Sequence, residues 1–190
     1  MPKVPKLNPR RLAVVVVAGL VVGILITTLT GGDSGTSLLE YSSGRGGKIL
    51  AVAEGGFEAR FPATPTRRTQ SVKVGGVKVP VVDYTGTTED HSFTVSYAEI
   101  PEGQEVGDPI LRLNASATSA AEAVKGKLEA SGITSFLGQP AVEYLISVTG
   151  RYVKATSFLA GRRIYGIEVV GTSDPPSGYD RFRSTFKLTG

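Results

Sequence analysis

The sequence predicts an α+β protein: an antiparallel sheet of about six to seven strands, packed by one long helix and a short C-terminal helix, and preceded by a single transmembrane helix. Three observations support this prediction. Stretches with the alternation of strands are separated by short turns, one central stretch has helical spacing, and one run near the N-terminus is wholly uncharged. Strands joined by tight turns are antiparallel, and helices grouped apart from strands are typical of α+β folds.

The uncharged run from Leu12 to Leu29 predicts a membrane anchor. A helix of this length spans about 27 Å, which is enough to cross the hydrocarbon of a bilayer. The preceding tail, residues 1–11, contains four basic residues and no acidic one. Because short basic flanks stay in the cytoplasm, we expect a single-pass protein of the cell membrane with a cytoplasmic N-terminus and an extracytoplasmic C-terminal domain.

A cleaved secretory signal is the alternative to a retained anchor. Such signals have a shorter apolar core, followed closely by small residues in an A-x-A-like pattern. The nearest good match, Ala51-Val52-Ala53, lies more than twenty residues beyond the run. We therefore expect retention, although the sequence does not show whether the anchor is ever cleaved. Because the chain has no cysteine, it lacks the lipobox residue that anchors bacterial lipoproteins.

Composition divides the rest of the chain into a tether and one folded domain. Residues 30–48 are rich in Gly and Ser, which predicts a flexible tether, and residues 49–190 form the predicted domain. The basic tail holds four of the 21 Lys and Arg residues and none of the 17 acidic ones, so the remainder is neutral. Nucleic-acid binders concentrate positive charge on their folded part, so this class of function is disfavoured.

Strand patterns dominate the predicted domain. The predicted strands are Ile49–Ala53, Gly56–Phe61, Thr69–Val74, Val77–Tyr84, His91–Ile100, Ala141–Val148, Tyr152–Leu159 and Arg163–Val170. Gly75-Gly76 is a two-residue connection of the kind found in hairpins. In the strand from His91, apolar residues alternate with Ser92, Thr94 and Ser96, which predicts that one face of the sheet lies in the core and the other nearer water.

Two helices are predicted between and after these strands. Asp108 is a suitable N-cap and Pro109 a suitable first residue, apolar positions then recur at helical spacing as far as Leu128, and Gly132 supplies the stop. Gly126 weakens the interior of this helix. A short helix near the C-terminus is predicted by three aromatic residues at helical spacing, Tyr179, Phe182 and Phe186.

This order of elements resembles the PsbP/Mog1-like fold, and particular motifs resemble a family of bacterial exported or membrane-tethered domains with that fold, with relatives of the LpqN type. The motifs are Gly56-Phe57, Phe61-Pro62 with Pro65, Thr69-Gln70, Val95-Ser96-Tyr97, Gly161 to Tyr165, Val169-Val170-Gly171 and Phe182 to Leu188. The resemblance covers about residues 55–188. It implies an accessory or binding protein, although the missing lipobox cysteine departs from the lipoprotein members.

No catalytic or metal-binding constellation stands out in the sequence, so we expect no catalytic residues, no metal and no cofactor. His91 is the single histidine, and it follows Glu89-Asp90 in a predicted turn. A metal there is disfavoured because adjacent residues of an extended chain point to opposite faces. A calcium loop from Glu102, Glu105 and Asp108 is also disfavoured, because it lacks the periodicity of an EF-hand.

Two arginine pairs are the candidate partner contacts. Arg67-Arg68 and Arg162-Arg163 lie at strand ends or turns, where they can reach carboxylates or lipid phosphates, although a solvated rim is the simpler interpretation. Five tyrosines lie on predicted strands, and a ligand groove between sheet and long helix is a further hypothesis. They are Tyr84, Tyr97, Tyr144, Tyr152 and Tyr165.

The sequence therefore favours a non-catalytic, membrane-anchored extracytoplasmic domain of the bacterial cell envelope. Its expected partners are the lipid bilayer and another envelope or membrane protein, for which it serves as an interaction module or accessory subunit. A lipid or small-ligand carrier is the alternative, and a hydrolase is a second, disfavoured one because no nucleophile elbow is present. The identity of the partner and the oligomeric state do not follow from the sequence.

Overall fold

The computed structural model describes residues 40–44, 47–74, 77–103 and 108–189. Within them lie eleven strands and two helices. The strands are β1 Glu40–Gly44, β2 Gly47–Val52, β3 Phe57–Phe61, β4 Thr66–Val74, β5 Val77–Thr87, β6 Ser92–Glu99, β7 Lys127–Phe136, β8 Gln139–Val148, β9 Arg151–Ala160, β10 Arg163–Gly171 and β11 Lys187–Leu188. The helices are α1 Pro109–Ala123 and α2 Tyr179–Ser184.

The strands form two antiparallel sheets. The larger sheet has seven strands in the order β4-β5-β6-β10-β9-β8-β7, and the smaller has four in the order β1-β2-β3-β11. Helix α1 lies on the crossover from β6, near the middle of the larger sheet, to β7 at its edge. The predicted α+β class and the prediction of an antiparallel sheet of about six to seven strands are thus confirmed. The second sheet was not predicted, and it takes up the first two predicted strands.

One face of the larger sheet, here called the aromatic face, packs against the smaller sheet and α2. Phe57 of β3 lies at its centre, with its ring centroid 5.4 Å from that of Phe186 and 5.9 Å from that of Tyr84. Phe61 contacts Phe182 of α2 with 5.1 Å between ring centroids. Edge-to-face and offset aromatic pairs of this kind add to the stabilisation from burial alone.

The opposite face of the larger sheet, here called the helix face, carries α1. The contact consists of one leucine and three alanines of α1 against buried residues of β8 and β9. The residues of α1 are Leu113, Ala117, Ala120 and Ala121, and those of the strands are Val142, Tyr144, Ile146, Val153 and Ala155. Because alanine side chains are small, the helix backbone can approach the sheet closely. The interface between them is occupied by these buried side chains.

The predicted alternation of buried and more exposed residues in β3 is confirmed. The prediction that one side of β6 lies nearer water is wrong. Phe57, Ala59 and Phe61 are buried, with partly exposed residues between them. In β6, however, Thr94 and Ser96 are also buried, at 0 % and 1 % exposure. The reason is that both faces of the sheet are covered at this strand, so polar residues there are enclosed and not solvated.

The predicted long helix is wrong in its C-terminal part, since α1 ends at Ala123 and residues 127–131 begin strand β7. Lys125 has a left-handed φ of 51°, and the N–H groups of Lys125 and Gly126 donate to the carbonyls of Glu122 and Ala121, which closes the helix. Strand β7 then pairs with β8 from Lys127 onward. Tertiary pairing here overrides the helical spacing of the sequence.

The expected tether differs in its C-terminal part, where β1 and the start of β2 lie, so the strand-rich region begins before residue 49. The predicted anchor, Leu12 to Leu29, lies outside the described residues, as does the turn at Gly75-Gly76. Among the described residues no helix is both long enough and apolar enough to cross a bilayer.

Candidate functional site

Arg67, the first of the candidate arginines, is held within the fold. Its Nε and Nη2 donate to Oε1 of Glu54 at 3.3 and 3.2 Å, and the hydroxyl of Tyr84 donates to the same oxygen at 3.1 Å. Burial, followed by this contact with Glu54, raises the pKa of Tyr84 to about 12. Arg67 therefore fixes the turn before β3 to the edge of the larger sheet.

Arg163 supports the same turn from the other side. Its guanidinium lies 5.5 Å from the ring centroid of Tyr97, and Nη1 donates to the hydroxyl of Tyr165 at 3.4 Å. That hydrogen bond raises the pKa of Arg163. The hydroxyl of Tyr165 in turn donates to the carbonyl of Gly55 at 2.8 Å. Gly56 is needed here, because it has a φ of 63° and a Cβ would lie 2.9 Å from Nη1 of Arg163.

The other two arginines lie elsewhere. Arg68 is directly opposite Asp83 in the β4–β5 pairing, on the helix face, and Arg162 donates to the carbonyls of Ile100 and Pro101. The structure thus brings Arg67 and Arg163 together around one turn but does not gather the four arginines into one patch. Whether any of them contacts a partner stays a prediction.

His91 lies beside a serine that the sequence did not bring to attention. Its Nε2 is 3.0 Å from Oγ of Ser177, and its ring lies so close to Gly171 that a Cβ there would be 2.5 Å from the imidazole. Within the described residues no group of three His, Cys, Asp or Glu side chains is placed to hold a metal. The histidine and serine join the β6 end of the sheet to the loop before α2.

The suggested calcium loop is described only in part, since Glu105 lies outside the described residues. Asp108 acts as the N-cap of α1, as predicted: its Oδ1 accepts a hydrogen bond from the N–H of Ile110 at 2.9 Å. This contact satisfies one of the free N–H groups at the start of the helix. Asp108 therefore has a structural partner already.

A band of buried polar residues, here called the polar band, crosses the helix face between two apolar clusters. Its members are each at most 3 % exposed, and they are Asp83, Thr94, Ser96, Ser157 and Glu168. Oδ2 of Asp83 accepts from Nε2 of Gln70 at 2.9 Å, but no described residue hydrogen-bonds its Oδ1 or either oxygen of Glu168. Burial of an ionised carboxylate under these conditions is strongly unfavourable.

Both carboxyl groups of the polar band consequently favour the protonated form. Burial raises the pKa of Asp83 to about 7, against the opposing effects of Arg68 and of the hydrogen bond from Gln70. Burial, with the nearby charge of Asp83, raises the pKa of Glu168 well above its ordinary value. Sequence reasoning missed this pair, although an acidic residue within an otherwise apolar strand was a usable signal.

A second polar network fixes α2 on the aromatic face. Glu143 of β8 pairs with Nζ of Lys154 at 3.1 Å and accepts from the hydroxyl of Tyr179 at 3.3 Å. Nε of Arg183 donates to the hydroxyl of Thr156 at 3.0 Å. These contacts join α2 to β8 and β9, so we assign them to the packing of the helix.

The predicted tyrosine groove between the sheet and α1 is not formed by these tyrosines. Tyr84, Tyr97 and Tyr165 lie in the core of the aromatic face, whereas Tyr144 is enclosed under α1. A cavity of about 490 Å³ lies instead at the C-terminal end of α1, lined by residues 125–127 and 147–152, which include Tyr152.

The fold and these sites define an α+β domain built on two antiparallel sheets. No protein-family model matches the chain, and no curated protein matches it either. Among solved structures it is similar to the solution structure of cyanobacterial PsbP (CyanoP) from Synechocystis sp. PCC 6803, with 17 % identity and a TM-score of 0.49, over 85 % of this chain and 98 % of that chain. A similarity at this level decides neither the fold family nor the function.

Proposed function

We propose that the protein is a non-catalytic accessory domain of the bacterial cell envelope, carried on a single-pass membrane anchor, and that it binds another envelope protein. The proposal includes membership of the PsbP/Mog1-like fold, which the sequence motifs support. The single observation that carries it is the character of strand β7, the last strand of the larger sheet.

On its outer side, strand β7 pairs with no strand in the part of the chain that the structure describes, so this edge is open to a partner. It pairs with β8 on one side, and it is at the end of the strand order. Eight of its ten residues are exposed, and Ile133 is 61 % exposed (its partly buried residue is Leu128 and its buried one Phe136). Charged residues and proline on an edge strand keep it from pairing with a further strand. The section from Ala130 to Phe136 contains neither.

Strand β4, at the opposite edge of the same sheet, differs from β7 in its charge. Strand β4 contains two adjacent arginines, Arg67 and Arg68. Charged side chains on an edge strand disfavour the addition of a further strand. The sheet is therefore protected at β4 and open at β7, so we propose that an extended, uncharged segment of the partner adds to β7 by backbone hydrogen bonds.

Site-specific photo-cross-linking of the full chain in intact membranes tests this proposal. A photoreactive residue at Ile133 on β7 should yield an adduct with another envelope protein, identified by mass spectrometry. The matched control is the same residue at Thr69, which is exposed on β4. Adducts of equal yield at both positions, or no adduct at Ile133, would contradict the proposal.

A further inference from the structure

The cavity at the C-terminal end of α1 is positively charged. Its volume of about 490 Å³ is within the range of small-ligand sites, roughly 300–1,000 Å³. Three cations, Lys125, Lys127 and Arg151, are among its lining residues, and no carboxylate is. Lys125 lies in the α1–β7 connection, Lys127 is the first residue of β7 and Arg151 is the first residue of β9, so two separate parts of the chain converge on the cavity.

Two of these cations have no internal counter-charge. Lys127 is paired with Glu129, which lies outside the lining, at 2.8 Å from Nζ to Oε2, and Glu129 also accepts from Oγ of Ser147 at 2.6 Å. Lys125 and Arg151, in contrast, form no ion pair and no side-chain hydrogen bond with any described residue. Their positive charges are therefore available to a ligand.

The backbone conformation of Lys125 is a second, independent observation. Helices commonly end with a residue in the left-handed region, and this residue is usually glycine. Here that position is Lys125, with a φ of 51°, and Gly126 follows it. Gly126 has its own packing requirement, because a Cβ would lie 2.6 Å from Cγ2 of Ile146. A lysine thus occupies a position where glycine is favoured, and strain of this kind clusters at functional sites.

The helix dipole does not account for the whole arrangement. A lysine near a helix C-terminus is favourable because the last carbonyls are electronegative. In α1, however, the carbonyls of Ala120, Ala121 and Glu122 already accept hydrogen bonds from backbone N–H groups. The dipole also gives no reason for Arg151, which belongs to β9.

We propose that this cavity binds a phosphate-type oxyanion, held by Lys125 and Arg151. Planar, forked guanidinium groups and ammonium groups are the usual partners of phosphate oxygens. Thr149 and Tyr152 also line the cavity and carry hydroxyl groups. The oxyanion is either free phosphate or the phosphodiester of an anionic lipid headgroup. The site does not depend on the envelope-protein partner proposed above.

Calorimetric titration of the full chain in neutral detergent with inorganic phosphate, at constant ionic strength, tests the site. We expect saturable binding, weakened about tenfold by Arg151→Gln and by Lys125→Gly, since each removes one charge-assisted contact. Lys125→Gly should not lower the midpoint of thermal unfolding, because glycine suits the φ of 51°. The control is Lys78→Gln, which removes an exposed lysine at the start of β5, a strand that does not line the cavity, and should leave the affinity unchanged.

The same titration with short-chain phosphatidylglycerol and phosphatidylcholine distinguishes the two sources. Tighter binding of phosphatidylglycerol than of inorganic phosphate, lost in Arg151→Gln, assigns the site to an anionic lipid. Binding of inorganic phosphate alone assigns it to the free ion. Absence of both kinds of binding, or equal weakening by Lys78→Gln, would overturn the proposal.

Discussion

Asp83 of β5 and Glu168 of β10 lie on the same buried face of the sheet, two strands apart, and the charge of one raises the pKa of the other. Strand β6 runs between them and places Ser96 opposite Asp83 and Thr94 opposite Glu168. Each of the two residues is 3 % exposed. The core of this domain therefore contains two groups whose protonation is linked to folding.

The first prediction is that the free energy of unfolding decreases as the pH rises. In an unfolded chain an aspartate ionises near pH 3.9, whereas Asp83 in the folded protein ionises at about 7. Between these values the folded state holds one proton more than the unfolded state, so stability falls by about 1.4 kcal/mol per pH unit for that group. The raised pKa of Glu168 acts in the same direction.

Urea unfolding at a series of pH values from about 4 to 7, the interval between the unfolded and folded pKa of Asp83, measures this dependence. Asp83→Asn and Glu168→Gln should each flatten the profile, because each removes one of the two linked protonations. Glu122→Gln, an exposed position on α1, is the control and should leave the profile unchanged. A wild-type stability that rises with pH over this range would contradict the prediction.

The sequence predicted six of the seven strands of the larger sheet, all except β7, because apolar alternation and turn residues are local signals. It did not predict β11, whose two residues become a strand only by pairing with β3. Nor did it predict the end of α1, where pairing with β8 competes with a helical pattern. The buried location of Asp83 and Glu168 depends on strand register, which no local pattern contains.

The second prediction concerns two glycines that differ in their surroundings. A Cβ at Gly126 would lie 2.6 Å from Cγ2 of Ile146 and 2.7 Å from the carbonyl oxygen of Ser147. Gly126→Ala should therefore destabilise the protein by about 1–3 kcal/mol, since packed atoms would have to move. At Gly132 on β7 no heavy atom beyond its chain neighbours lies within 4 Å of a Cβ.

Gly132→Ala is thus the matched control and should be neutral or slightly stabilising, because alanine reduces the entropy of the unfolded chain. Thermal unfolding of the two variants alongside the wild type measures the difference. Equal changes in the midpoint of thermal unfolding at the two positions would show that Ile146 and Ser147 do not pack as closely against Gly126 as the structure has them.

The third prediction is that Phe57 is essential to the aromatic face. It is 0 % exposed and contacts the rings of Tyr84, Tyr97, Tyr165 and Phe186. Phe57→Ala should destabilise the protein by about 3–5 kcal/mol through lost burial and a residual cavity. Denaturant unfolding measures this loss. Val77→Ala, at a side chain that is 46 % exposed, should change stability by less than about 1 kcal/mol.

The fourth prediction separates two tyrosine hydroxyls. The hydroxyl of Tyr165 donates to the carbonyl of Gly55 at 2.8 Å in a buried setting, and it also accepts from Arg163. Tyr165→Phe removes the donor while the buried carbonyl and guanidinium remain, so we expect a loss of about 1–3 kcal/mol. Tyr152 is partly exposed, and its hydroxyl has no hydrogen bond to any described residue, so Tyr152→Phe should be close to neutral.

Urea unfolding of the two phenylalanine variants measures both effects under one condition. The comparison isolates the hydroxyl group, because each substitution keeps the ring and its packing. If Tyr165→Phe were as mild as Tyr152→Phe, the turn before β3 would not depend on this hydrogen bond. Arg163 would then be held by its contact with the ring of Tyr97 and by its ion pair with Glu99.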